Sequence, residues 1–188
     1  PIPSIRLIQK SSDVVELPDG TKGFPGQFYF PLFNKIWDSP EIIFIKAKKI
    51  AMPSKYKNNE IEDKWAMLGV IPELDFAPVM LYTPVTSNAS AASFISLVIN
   101  SKRPLFSYKV ALESRAIEGD KGQYYIISFK KNAPIEDLKE YEFAKAIAIQ
   151  YKEAVVKSSS DELEDKAQEA FNTPLPEEEA IDENDLPF

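Results

Sequence analysis

The sequence predicts a mainly β fold: a small five-stranded barrel with one inserted helix, then a helical segment and an acidic tail. Three observations predict it. Short β-rich runs with alternating apolar residues fill the chain up to the lysine pair at Lys130 and Lys131, and turn residues bound them. One Ser/Asn-led stretch among them has helical spacing instead. Beyond Asn132 the pattern becomes helical, and finally gives way to acids and prolines. With 188 residues and 44% apolar content, the chain suits one domain of ordinary size with a buried core.

The elements follow in order. "SIRLIQK" alternates, with Ile5 and Leu7 on one face, joined by Gln9 if the strand reaches it, and Arg6, Ile8 and Lys10 on the other. "EIIFIKAKKIAM" reads as a longer strand, with Ile43, Ile45, Ala47 and Lys49 on one face and Phe44, Lys46 and Lys48 on the other. "KWAMLGVIP" and "APVMLYTPV" are two further short strands. "SNASAASFISLVINS" opens with Ser and Asn and repeats Ala91, Phe94, Ile95 and Val98, which predicts a helix of about three turns. "LFSYKVALESRAI" and "QYYIISFKK" flank "EGDKG", whose Gly119, Asp120 and Gly122 are turn chemistry, so a β-hairpin is expected.

"NAPIEDLKEYEFAKAIAIQYKEAVVK" offers Asn132 as N-cap and Pro134 in the first turn, with Ile135, Leu138, Tyr141, Ala144 and Ala148 at helical spacing. A second short helix is expected from Ser159 or Ser160 to Phe171. "NTPLPEEEAIDENDLPF" should be extended, and the connector's length suggests a tail held away from the body. The expected units are a barrel (1–133), a helical connector (134–171) and a tail (172–188). The oligonucleotide-binding (OB) barrel, a partly open five-stranded Greek key, fits this count. A small β-sandwich is the structural alternative.

Charge is distributed unevenly. From Ser158 to Phe188 there are eleven acids (Asp161, Glu162, Glu164, Asp165, Glu169, Glu177, Glu178, Glu179, Asp182, Glu183 and Asp185) against Lys166 alone, a net of −10. The preceding 157 residues are +3. A mildly basic body with an acidic tail suits a body that meets an anion and a tail that imitates one. The chain has no cysteine and no histidine. Disulfides, thiolate metal sites, thiol nucleophiles and the usual neutral-pH general base are therefore excluded. No run of about 20 apolar residues would span a bilayer, and no export signal is expected. Opening at Pro1 rather than methionine predicts that residues have been removed ahead of it. The expected setting is cytoplasmic.

The residues that could carry chemistry are interleaved rings and cations. "GQFYFPLFNKIW" packs Phe28, Tyr29, Phe30, Phe33 and Trp37 around Lys35. "KAKKIAMPSKYK" sets Lys46, Lys48, Lys49, Lys55 and Lys57 around Tyr56. "NSKRPLFSYK" places Lys102, Arg103 and Lys109 beside Phe106 and Tyr108, and the hairpin adds Arg115, Lys121, Tyr124 and Tyr125. Unpaired nucleic acid needs both residue types: cations follow phosphates, and rings stack on bases at about 1–3 kcal/mol each. About half of these rings should be core, as aromatics in small barrels mostly are. Strand alternation ranks Phe44, Tyr56 and Trp37 above Phe129 as stacking rings and leaves Trp65 undecided. A Walker loop, a GxGxxG and a nucleophile elbow are all absent from the sequence. The acids Asp13, Glu16, Asp19, Glu62 and Asp63 read as solvated loop. Neither an enzyme nor a bound metal or cofactor is expected.

The chain ends "EEEAIDENDLPF". A solubility tail explains the acids but not the apolar tip. A docked phenylalanine ring contributes about 1.5–3 kcal/mol, and a partner's cation can take the terminal carboxylate. Residues Ala180 to Phe188 resemble the C-terminal tip of bacterial single-stranded-DNA-binding proteins, which end in acids followed by Leu- or Ile-Pro-Phe. The body, through "FSYKVALESRAIEGDKGQYYIISF", is more similar to bacteriophage single-stranded-DNA-binding proteins. Those have an OB body with an internal helix, a terminal hairpin and an acidic tail ending in an aromatic residue. The resemblance implies a tip (Asp182, Glu183, Asp185, Leu186, Pro187 and Phe188) that docks on a polymerase, helicase, primase or recombination mediator. It also implies a tail that competes with DNA for the basic groove. The expected function is thus protection of single-stranded DNA during replication, recombination and repair, with homo-oligomerisation left open. A β-sandwich adaptor that tethers a partner without nucleic acid is the other reading.

Overall fold

The computed structural model describes residues 2–10, 14–54, 60–120 and 122–151. Within them, eight strands form one sheet: β1 (Ser4–Leu7), β2 (Phe28–Phe30), β3 (Lys35–Trp37), β4 (Glu41–Pro53), β5 (Ile61–Ile71), β6 (Ala77–Tyr82), β7 (Tyr108–Gly119) and β8 (Gly122–Pro134). Helix α1 (Asn88–Asn100) joins β6 to β7, and helix α2 (Leu138–Gln150) follows β8. The strand order is β3-β2-β1-β6-β5-β4-β7-β8, antiparallel except where β1 meets β6. The mainly β expectation holds, but the strand count is eight and not five. The extra strands come largely from "FYF" and "KIW", three residues each, too short for alternation to register.

The sheet is curled. Phe28 and Phe30 of β2 share one core with Leu112 of β7 and Ile127 of β8, strands near opposite ends of the order. A flat sheet could not bring them together. Phe44, Met67, Ile71 and Leu81 complete that inner face, and Phe94 and Val98 of α1 pack into it. Phe94 stacks on Phe129 with ring centroids 5.3 Å apart and meets Phe44 at 6.0 Å. The curl is drawn together by a side chain, Gln9, which follows β1. Its Nε2 donates to the Tyr125 carbonyl (2.8 Å), and its Oε1 accepts from the Tyr125 N–H (2.9 Å). Ser87 Oγ accepts from the Ile127 N–H in the same way (2.9 Å). These bonds occupy outward-facing groups of edge strand β8 that would otherwise template association.

Strand β4 carries a bulge between Phe44 and Lys46. Ile42 and Phe44 face the inner core, while beyond the bulge Ala47 and Lys49 take that face, opposite Met67 and Trp65. Ile43, Lys46, Lys48 and Ile50 face outward. The simple alternation read along this strand is therefore corrected: Phe44 does not share a face with Lys46 and Lys48. Gly69, opposite Phe44, accommodates the kink. A Cβ there would lie 2.6 Å from Ile42 Cγ2 and 2.9 Å from the Ile43 carbonyl.

The helix after the hairpin starts later than the sequence suggests. Strand β8 continues through Pro134, and Asp137 is the N-cap, its Oδ1 accepting from the Glu140 N–H at 2.8 Å. Asn132 is not the cap because it lies within β8, where its Nδ2 donates to Glu41 (3.0 Å), and Pro134 keeps Ala133 extended. Helix α2 lies against the sheet. Ala144 is buried with Ile43 and Val70, and Ile135 and Ile147 pack alongside. The second expected helix and the tail lie outside the described residues.

Candidate nucleic-acid interface

Three strands build the outer face that matters most. Cross-strand pairing sets Lys46 beside Leu68 beside Met80, and Lys48 beside Ala66 beside Tyr82. Ile50 lies opposite Lys64. The result is an apolar floor of Ile50, Ala66, Leu68 and Met80, all buried, rimmed by three lysines and a tyrosine. Arg6 continues the same face across β1, its guanidinium 5.3 Å from the Tyr29 ring centroid. Glu62 is the acid at the Met52 end.

The electrostatics of this face fit an anion. Burial, and then the charge of Lys46, hold the Lys48 ammonium below the usual lysine range. A phosphate placed beside Lys46 and Lys48 would favour the charged form of both. Burial pushes the Tyr82 phenol up, so it remains neutral and presents a ring with a polar tip.

The residues expected from sequence divide by strand face. Lys46 and Lys48 are brought together here. Lys49 is not: it faces the other way and pairs with Asp63 at 2.9 Å. Phe44 is fully buried between Phe94 and Phe129 and offers no ring to a base. Its place as a stacking candidate is corrected, and it joins Phe129 in the core. Trp37 packs against that core too, and its indole N–H donates to Glu73 at 3.0 Å. Lys35 pairs with the same carboxylate at 3.0 Å, and both bonds hold Glu73 below the usual carboxylate range. Trp65 also packs against the core.

Lys109 is engaged by acids, 2.7 Å from Glu140 and 3.9 Å from Glu41. Arg115 and Tyr124 share the outer face of the β7–β8 hairpin, opposite Ile126 and Ile117. Lys102 (φ 55°) and Arg103 are exposed on the turn after α1, off the strand face. Lys55, Tyr56, Lys57 and Lys121 lie outside the described residues, as do Asp182, Glu183, Asp185, Leu186, Pro187 and Phe188.

Lys64 and Tyr82 escaped the sequence reading. Lys64 was legible by parity, two residues before the outward-facing Ala66; Tyr82 becomes visible only once β6 is paired with β5. Among the described residues, no cluster of acids is arranged to hold a metal, and no helix is long and apolar enough to cross a membrane. Comparison with protein-family models, with curated proteins and with solved structures finds no match.

Proposed function

We propose that this chain is a single-stranded-DNA-binding protein, of the bacteriophage type, which grips unpaired strands on the outer face of β4, β5 and β6. The observation that carries the reading is the convergence of Lys46, Lys48 and Lys64 with Tyr82 around an apolar floor. Phosphates take the lysines and a base takes the ring, which needs no sequence preference. The connectivity supports an OB assignment for the central strands. Strands β4, β5 and β6 run consecutively, α1 is inserted before the β7–β8 hairpin, and the order is β6-β5-β4-β7-β8. OB folds bind oligonucleotides on their second and third strands, here β5 and β6. Strands β1–β3 would be an addition to that barrel.

In this reading the acidic segment from Ser158 covers the cationic face in the free protein, and the Leu186-Pro187-Phe188 tip recruits a replication, recombination or repair protein in the host cytoplasm. The protein protects strands and catalyses nothing. Fluorescence anisotropy with a labelled oligo-dT tests it. Binding should be strong at low salt and fall steeply as salt rises, because each lysine–phosphate contact releases counterions. An anisotropy that stays flat at low ionic strength refutes the reading.

A further inference from the structure

The face assigned above to nucleic acid is already partly occupied. Helix α2 crosses the outer side of the sheet, with Ala144 and Ile147 seated on Ile43 and Val70. Its C-cap residue, Tyr151, packs against the floor of Ile50, Ala66, Leu68 and Met80. The ring of Tyr151 thus sits on the surface where a base would lie.

The seal is thin. Of the helix's thirteen residues only Ala144 is fully buried, while Leu138, Phe143 and Ile149 are exposed. What fastens the helix is peripheral. Lys109 Nζ lies 2.7 Å from Glu140 Oε1, Phe143 meets Phe76 at 4.5 Å, and Tyr141 meets Phe106 at 5.7 Å. The Phe76 clasp is itself strained, because Asp75 and Phe76 both have positive φ (49° and 58°) in the β5–β6 turn. An aromatic residue seldom adopts that conformation. Little apolar burial, one partly exposed ion pair and one strained turn describe a segment from the low-stability end of a structure.

We propose that α2 is a displaceable strap: an incoming strand takes the floor from Tyr151, and α2 lifts from the sheet as the strand binds. The strap rests on the nucleic-acid reading, and it regulates that same face independently of the acidic tail. Its latch is the Lys109–Glu140 pair, so Lys109 acts by holding the helix and not by touching phosphate.

Hydrogen exchange of the full chain, with and without saturating oligo-dT, provides the test, with binding read by anisotropy in the same samples. The expected result is that dT binds and the amides of 144–150 lose protection by several-fold, while those of β4 and β5 gain it. If dT binds and α2 keeps its protection, the strap is wrong and the nucleic-acid reading stands. If dT does not bind, the reading falls and the strap with it. Two variants separate the latch from bulk charge. Glu140→Gln should tighten dT binding several-fold and raise exchange in α2. Glu142→Gln makes the same charge change on an exposed residue paired with Lys145 at 3.7 Å, and should do neither. Equal tightening by both variants would reduce the effect to charge alone and overturn the latch.

Discussion

Lys48 is the residue whose chemistry speaks most directly about function. Its charged form is penalised in the free protein, by burial first and by Lys46 second. A bound phosphate relieves that penalty and returns the ammonium toward its ordinary value. Binding should therefore weaken as pH rises through the lowered Lys48 value, ahead of the ordinary lysine range. An affinity flat up to the ordinary lysine range would exclude Lys48 from the contact. The same depression makes the folded state carry a cost at neutral pH that is lifted on the alkaline side, the reverse of a salt-bridged group. Lys48→Ala should lower the steepness of the salt dependence by about one phosphate contact. Tyr82→Ala should cost about 1–3 kcal/mol of binding while Tyr82→Phe keeps most of it, since the ring and not the hydroxyl stacks. Phe44→Ala is a contrast: with the ring fully buried, it should cost about 3–5 kcal/mol of fold stability in a denaturant titration. From sequence, the lysines of "IFIKAKK" were legible as a cationic strand, but the aromatic partner was misplaced. Alternation assigns Phe44 to the lysine face, and one extra residue in the ladder moves it to the other.

That extra residue belongs to the scale of the element. A bulge reverses the faces of every residue beyond it, so the floor of the site exists because β4 slips once at Ile45. Gly69 makes room for the slip, and its replacement by alanine should destabilise the fold by about 1–3 kcal/mol through contact with Ile42 and the Ile43 carbonyl. Thermal unfolding of Gly69→Ala would show it, and an unchanged midpoint would mean that the kink has other support. Helix α2 has a comparable weak point at its first turn. Asp137→Ala removes the side-chain cap at the start of α2 and should cost about 1 kcal/mol of helix stability. The helix's existence was legible from the spacing of Ile135, Leu138, Tyr141, Ala144 and Ala148. Its start was not, because Asn132 suits a cap by residue type and only the continuation of β8 through Pro134 places it in a strand.

Across the whole molecule, a cationic face and an acidic segment share one chain. Removing residues 172–188 should tighten oligo-dT binding, most of all at low salt where the Debye length is long. A truncated chain that binds no better would exclude tail masking. Phe188→Ala should abolish capture of a partner protein and leave dT binding unchanged; loss of both would show that the tip serves the fold. The sequence alone determined the class of structure, since alternation and turn residues report local backbone preference. It also determined the charge asymmetry, which is a matter of counting. Only the tertiary structure decided which cations meet. Register, bulges and the closure through Gln9 arise from contacts between residues far apart in the chain, such as Gln9 with Tyr125, and no local window contains both partners. The same reason puts Lys64 and Tyr82 beside Lys48, while Lys49, its immediate neighbour in sequence, faces the opposite side.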